Sequence, residues 1–270
     1  MVYTVCIPMH EAIKTAQSIK PAVLFRAGDA PVTYREHFTP ASANLEFLSC
    51  GEFELAPGAS MQPTSFAGEE ALLYSWRGKG HAHVGGRSYA LAEYDTLYIP
   101  KGDPWWLSNP GGETARVWLT RAPAENVHPV FHSQFAKIAA DESRIRHLKG
   151  GRSVYMMFDV PEAADKLVAG YSFFDPYSRS WPPHNHTDQE EVYIFLKGRG
   201  SMEVYESPET LTFVHEVNEG DAITIPYYNY HPVFAQETPL VFIWCIAGAR
   251  YWVGDKNKDF MKGTGDPITT

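Results

Sequence analysis

Trp181-Pro182-Pro183-His184-Asn185-His186-Thr187-Asp188-Gln189-Glu190-Glu191 leads into the apolar run Val192-Tyr193-Ile194-Phe195-Leu196. It is answered later in the chain by Gly220-Asp221-Ala222-Ile223-Thr224-Ile225-Pro226-Tyr227-Tyr228-Asn229-Tyr230-His231. His184 and His186 are two apart on a β-rich segment, where alternate side chains share a face, so one cation can meet both imidazoles. Glu191 opens one strand and His231 opens another after a proline-containing turn, which lets neighbouring strands bring a third and fourth ligand alongside. Three neutral imidazoles and a carboxylate suit zinc, manganese, iron, cobalt or nickel. We therefore expect one divalent transition-metal ion per chain, zinc or manganese first, held by His184, His186, Glu191 and His231. Glu190 is Glu191's neighbour on a period-two strand and is expected to face solvent instead.

The rest of the chain limits what such a site can serve. At 270 residues and 44% hydrophobic content there is material for one large or two medium domains with buried cores. Lys and Arg number 23 against 32 Asp and Glu, a net charge of −9 without any basic run, which argues against nucleic acid or another long polyanion as partner. No stretch is apolar enough to span a membrane and the N-terminus lacks the pattern of a secretory signal, so a cytoplasmic location is expected. Cys6, Cys50 and Cys245 are widely spaced and odd in number, which disfavours a disulfide framework. Cys245, in the apolar run from Leu240 to Ala247, reads as a buried small hydrophobe.

Short apolar or alternating runs punctuated by Gly, Pro and Asp recur throughout, and helical periodicity is confined to Met9–Ser18 and Asn126–Ser143. The chain is thus expected to be all-β. Its halves repeat each other: Glu69-Glu70-Ala71-Leu72-Leu73-Tyr74-Ser75-Trp76-Arg77-Gly78 resembles the Glu190–Gly198 segment with one extra residue before the glycines. Asp95-Thr96-Leu97-Tyr98-Ile99-Pro100 likewise parallels Asp221–Pro226. In the first half Gln62 and Thr64 fall near the positions of the paired histidines and Trp105 falls where His231 should be, so this barrel is expected to be metal-free. His81 and His83 follow the Gly78 turn and read as a solvated strand face. We divide the chain into a first barrel (1–122), a helical connector with His128 and His132 (123–153), and a metal-binding barrel with a frayed tail from Lys262 to Thr270 (154–270).

The spacings resemble those of cupins: His184 and His186, four residues, Glu191, six residues, Gly198, and then Gly220, five residues, Pro226, four residues, His231. The resemblance implies a bicupin of two tandem double-stranded β-helix (jelly-roll) barrels. By parity with Glu191, Tyr193 should point into the second barrel near the metal, which makes it the first candidate for a catalytic side chain. Arg179, five residues before His184, and Arg250, after the Leu240–Ala247 run, could clamp a substrate carboxylate in bidentate fashion. Tyr230, beside His231, is a further candidate for binding substrate.

A narrower resemblance rests on Gly150-Gly151-Arg152-Ser153-Val154, on Phe174-Asp175-Pro176-Tyr177-Ser178-Arg179-Ser180-Trp181-Pro182-Pro183-His184-Asn185-His186, and on Glu190-Glu191-Val192-Tyr193. These segments look like the 5-deoxy-glucuronate isomerases of inositol breakdown. Phe242-Ile243-Trp244-Cys245-Ile246-Ala247-Gly248 resembles the related 5-keto-4-deoxyuronate isomerases of pectin breakdown. The family's metal ligands then fall on His184, His186, Glu191 and His231. What the resemblance implies is an aldose–ketose isomerase acting on a deoxyuronate, with a metal-bound hydroxide, Tyr193, Tyr228 or Tyr230 as candidate base. A metal-dependent cupin dioxygenase and a non-catalytic sugar-binding cupin are the competing readings. A homodimer or larger homo-oligomer is expected from the aromatic content of 14% and from the open sheet edges of such barrels.

Overall fold

A computed structural model describes residues 14–15, 22–27, 30–43 and 45–251. The first eleven strands are β1 (Lys14–Thr15), β2 (Ala22–Ala27), β3 (Ala30–Phe38), β4 (Ser49–Leu55), β5 (Glu69–Arg77), β6 (Gly80–Val84), β7 (Arg87–Leu91), β8 (Thr96–Ile99), β9 (Trp105–Ser108), β10 (Ala115–Pro123) and β11 (Phe131–Ser133). Nine more follow: β12 (Ile145–Leu148), β13 (Arg152–Phe158), β14 (Leu167–Phe174), β15 (Gln189–Lys197), β16 (Arg199–Ser207), β17 (Thr210–Asn218), β18 (Asp221–Ile225), β19 (Val233–Ala235) and β20 (Leu240–Gly248). Among the described residues helix is limited to the single turns α1 (Pro40–Ala43) and α2 (Phe135–Ile138) and a 3-10 turn at Glu142–Arg144. The all-β bicupin expected from the sequence is what the chain forms.

Each half pairs a seven-stranded sheet with a three-stranded one. The orders are β11-β8-β5-β10-β4-β3-β2 with β7-β6-β9, and β1-β18-β15-β20-β14-β13-β12 with β17-β16-β19. The large sheets bury both faces. On β20, Val241, Ile243, Cys245 and Ala247 join a core shared by the two halves, whereas Leu240, Phe242, Trp244 and Ile246 line the inside of the second barrel. β10 alternates likewise, Trp118 and Ala122 facing the shared core and Val117 and Leu119 the first barrel. A strand between two cores needs apolar residues at every position, which is why Leu240–Ala247 reads as an unbroken run. Cys245 is fully buried and, with Cys50, a free thiol, as its sequence context led us to expect.

Two carboxylates join the halves. Glu190 accepts the backbone N–H groups of Glu46, Phe47 and Leu48 at 2.6, 2.8 and 2.5 Å, just ahead of β4. Reciprocally, Glu70 accepts those of Asp165, Lys166 and Leu167 at 2.9, 2.7 and 3.0 Å at the start of β14, and the Tyr98 hydroxyl at 2.8 Å. The expectation that Glu190 faces solvent is therefore overturned, since it is 1% exposed. Alternation along β15 does turn Glu190 away from the face of Glu191, but the opposite face of β15 is a second core and not water.

The helical expectations fare less well. Lys14–Thr15, inside the Met9–Ser18 pattern, pairs as a strand with Asp221–Ala222; the rest of that pattern lies outside the described residues, as does the tail from Lys262 to Thr270. Within Asn126–Ser143, β11 adds to the edge of β8, and only the short turns remain helical. Asp95 fixes that course by accepting the Phe135 N–H at 2.9 Å and facing His132 Nε2 at 3.3 Å. Among the described residues no helix is long and apolar enough to cross a membrane.

Removing a buried acceptor leaves its donors without partners, at about 1–3 kcal/mol apiece where burial is complete. We expect Glu190→Ala to cost about 3 kcal/mol in a denaturant titration, and Glu190→Gln, which keeps one acceptor oxygen, to cost less. A loss below about 1 kcal/mol for the alanine variant would contradict the clamp.

Candidate metal centre

β15 delivers Glu191 with its side chain turned into the second barrel, opposite to Glu190, and pairs Glu191 with Ile225 of β18. One residue past β18, Pro226 starts the turn that returns the chain at His231, whose N–H bonds the His184 carbonyl at 3.3 Å. The segment before β15 thus lies against His231. The ligand atoms of His184, His186, Glu191 and His231 all fall within 4.8 Å of one another, and among the described residues no other group of three or more His, Cys, Asp or Glu converges in this way. Ring centroids are 5.2 Å apart for His184 and His186, 4.5 Å for His184 and His231, and 5.2 Å for His186 and His231. His184 is half-buried and the other three are buried.

Hydrogen-bond accounting sets the tautomers. The Gln189 amide nitrogen donates to the carbonyls of Ala249 and Tyr251, so its oxygen faces His186 Nδ1, 2.9 Å away, and that nitrogen carries the hydrogen. His231 Nδ1 donates to the Asn229 carbonyl at 2.8 Å. In both neutral rings Nε2 is left with a lone pair. Yet each Nε2 lies 3.1 Å from the same Glu191 oxygen, and His231 Nε2 is buried without a hydrogen bond. Acceptors that crowd together in a dry interior need a positive charge between them. Burial pushes the Glu191 carboxyl up, and hydrogens turned to it from His186 and His231 would hold it down at about 2; with those hydrogens on Nδ1 instead, a cation in the cluster takes their place. Burial and then the two neighbouring imidazoles push His184 well below the usual histidine range, so it too presents a lone pair. The donor set fits a divalent transition metal, and Gln189 and the Asn229 carbonyl supply the outer contacts that orient such ligands.

Other expected site residues land in several places. Tyr193 points into the barrel, its ring 5.8 Å from His231 and 4.8 Å from Phe242, and burial followed by the Glu191 charge pushes its phenol well up. Tyr230 is half-buried and pairs through its backbone with Tyr205 at the barrel wall beside His231. Arg179 is engaged by Glu203 and by the Tyr205 hydroxyl at 2.9 Å, and lies 4.1 Å over the Trp181 ring. Arg250 is outside the cluster. It donates to the carbonyls of Asp159 at 2.7 Å and Leu167 at 3.0 Å, and to those of Val160 and Ala164 at 3.4 Å, holding the loop between β13 and β14. His128 and His132 separate to Asp165 and Asp95. His83 stacks on Trp106 at 4.5 Å and meets Ser108 at 2.9 Å. Gln189 carried no sequence signal beyond its spacing from His186, and a backbone carbonyl such as that of Asn229 carries none.

In the first barrel the ladder changes the alignment of the repeats. Ala71 pairs with Ile99 as Glu191 pairs with Ile225, so Ala71 is the counterpart of the carboxylate ligand and Glu70 that of Glu190. Trp105 N–H bonds the Thr64 carbonyl, and Gly102 N–H that of Phe66, where His231 bonds His184 and Tyr228 bonds His186. The counterparts of the paired histidines are therefore Thr64 and Phe66, not Gln62 and Thr64, and all four ligands are replaced rather than three. No extra residue precedes the glycines: Gly78 and Gly198 are equivalent, both at positive φ, where a Cβ would meet the carbonyl oxygens of Thr114 at 2.5 Å and Pro239 at 2.1 Å. Trp105, fully buried, fills the place of the cluster against Phe66 at 5.3 Å and Phe53 at 5.8 Å.

We expect elemental analysis to find one transition-metal ion per chain, lost in His186→Ala and His231→Ala with the far-ultraviolet circular dichroism unchanged. Two tightly bound ions per chain would contradict a metal-free first barrel.

Residues 23–262 match the model of the KduI/IolB family. Relatives from Opitutus terrae and Shouchella clausii, both named 4-deoxy-L-threo-5-hexosulose-uronate ketol-isomerase, are 26% and 25% identical over 176 and 207 residues. The first match spans 63% of this chain and 63% of the relative, just under two thirds, and the second 72% of each. The crystal structure of an IolB-like protein from Salmonella typhimurium superposes with a TM-score of 0.70 at 17% identity, covering 89% of this chain and 94% of that one.

Proposed function

The chain belongs to the KduI/IolB family, and from that premise we propose that it is a metal-dependent ketol-isomerase interconverting the aldehyde and ketone forms of a deoxyuronate, in the breakdown of uronates or inositol. The observation that carries this reading is the convergence of three imidazoles and a carboxylate inside one barrel of a chain whose relatives are named for such a reaction. Isomerisation moves a proton between adjacent carbons while negative charge collects on neighbouring oxygens, and it consumes no oxidant. A divalent ion, when bound by His184, His186, Glu191 and His231, supplies a Lewis acid for those oxygens.

The surrounding side chains shape the rest. Tyr193 turns its ring into the same interior, 5.8 Å from that of His231, where burial favours the neutral phenol, so we assign it the part of a hydrogen-bond donor to a substrate oxygen. Val168, Ile225, Phe242, Trp244 and Ile246 line the same interior and keep it dry, which strengthens each electrostatic contact made there. Arg179, already neutralised by Glu203, and Arg250, bound to backbone carbonyls, drop out as free carboxylate clamps in this reading.

The test is direct. Metal-loaded protein should equilibrate 4-deoxy-5-ketouronate or 5-deoxyglucuronate with its isomer under anaerobic conditions and wash solvent deuterium into the product, and chelation should stop both. Metal-loaded protein that catalyses neither exchange nor isomerisation across deoxyuronates and hexuronates overturns the reading. Tyr193→Phe should retain metal and lower kcat by roughly a hundredfold or more.

We also propose at least a homodimer. Supporting this, β17 is an edge strand of nine residues with Leu211 and Val214 exposed, a surface suited to pairing. Light scattering should give a multiple of 30.3 kDa at micromolar concentration.

A further inference from the structure

The turn between Pro226 and His231 holds an aromatic residue in a conformation that disfavours one. Tyr228 has φ of +68°, in the left-handed region where a Cβ crowds the backbone. The first barrel places Gly102, with φ of +82°, at the equivalent position, and each residue's N–H meets the equivalent carbonyl, that of His186 at 2.7 Å and of Phe66 at 2.8 Å. The same turn is thus built twice in one molecule. Where no metal ligands surround it, it carries the residue that fits; beside the ligands it carries a tyrosine.

The strained geometry is fixed from every side. Asn185 Nδ2, from the residue between the paired histidines, donates to the Tyr228 carbonyl at 3.2 Å, and the Tyr227 hydroxyl donates to Glu46 of the first half at 3.1 Å. Asn229 Nδ2 bonds the carbonyls of Pro226 and Tyr227, while the Asn229 carbonyl accepts from His231. The turn that orients one ligand therefore also sets the direction in which the Tyr228 side chain leaves the backbone, and its ring, 6.3 Å from that of Tyr227, is 57% exposed. His184 is the one half-buried ligand of the four, and Asn185, its neighbour, is bonded to Tyr228. Tyr228 thus adjoins the His184–His186 segment, beside the one of the four side chains that solvent reaches.

Among the described residues two other tyrosines have positive φ. Tyr94 packs its ring against Tyr171, Phe135 and Phe173 at 5.3, 5.3 and 5.7 Å, so burial offsets its strain. Tyr177 is 69% exposed and bonds Gln236, which in turn bonds Arg199 at the end of the barrel away from Glu191. It supplies a matched control for strain without proximity to the cluster.

We propose that Tyr228 is a substrate-contacting residue of the metal centre: its ring, carried by a rigid left-handed turn next to His184, packs against the carbon chain of the incoming sugar acid. Held strain of this kind preorganises a contact that a flexible side chain would make only at an entropic cost. The inference rests on the ketol-isomerase reading.

Metal-loaded Tyr228→Gly, Tyr228→Phe and Tyr177→Gly are compared with wild type for metal content, melting temperature, kcat and KM on the deoxyuronate. Tyr228→Gly should keep one metal ion per chain and a melting temperature at or above that of wild type, because glycine relieves the backbone. Its KM should rise about tenfold with kcat little changed, the signature of a lost binding contact. Tyr228→Phe should restore most of the affinity, and Tyr177→Gly should leave KM unaltered. A Tyr228→Gly protein with wild-type KM, or one that loses its metal, overturns the proposal while the isomerase reading stands. Wild-type protein without turnover overturns that reading and this inference with it.

Discussion

Strand β15 lies between two dry cores, and most of the molecule follows from that placement. Its alternate residues serve different halves: Val192, Ile194 and Leu196 belong to the shared core, Tyr193 and Phe195 to the second barrel. Charge on such a strand is tolerated only where it is fully paired. Glu190 meets this condition with three backbone N–H groups of the other half, and Glu191, 3.1 Å from two imidazole nitrogens, would meet it with a cation held among them. Two adjacent carboxylates, turned opposite ways by the pleat, thus join the halves on one side and complete the ligand cluster on the other.

The duplication provides its own comparison. Both barrels keep the junction carboxylate, as Glu70 and Glu190, because each caps the N–H groups where the other half's strand begins. The ligand positions diverge completely, to Thr64, Phe66, Ala71 and Trp105. A buried set of imidazoles and carboxylate that holds no cation carries a desolvation penalty with nothing to offset it. Replacing the set by an indole packed on Phe66 and Phe53 removes the ionisable groups and adds apolar burial, at the smaller cost of one indole N–H buried without a partner.

The arginines show how far parity and spacing reach. Arg179 and Arg250 are plausible anion clamps as residues near a ligand motif, yet one is matched to Glu203 beside Trp181 and the other to a loop of backbone carbonyls. Sequence proximity to the motif did not decide their partners. Those were decided by which carboxylates and carbonyls were left without partners by the sheets, and that depends on how β14, β16 and β20 come together.

The sequence by itself determined the all-β class, the tandem repeat and the four side chains that converge, His184, His186, Glu191 and His231. Strand alternation and fixed spacing are local properties, and His-x-His, Glu191 and Gly-x5-Pro-x4-His express them directly. It also oriented Tyr193 correctly, since parity with Glu191 carries along one strand. What only the tertiary structure decided is whatever depends on the second partner of a residue. The burial of Glu190, the true counterparts Thr64, Phe66 and Ala71, the strand at Phe131–Ser133 in place of a helix, and the Gln189 and Asn229 contacts that set two imidazole tautomers all belong here. Each is fixed by a hydrogen bond or ladder register between segments remote in the chain, or by a backbone atom that every residue type shares, and neither leaves a mark in the order of side chains.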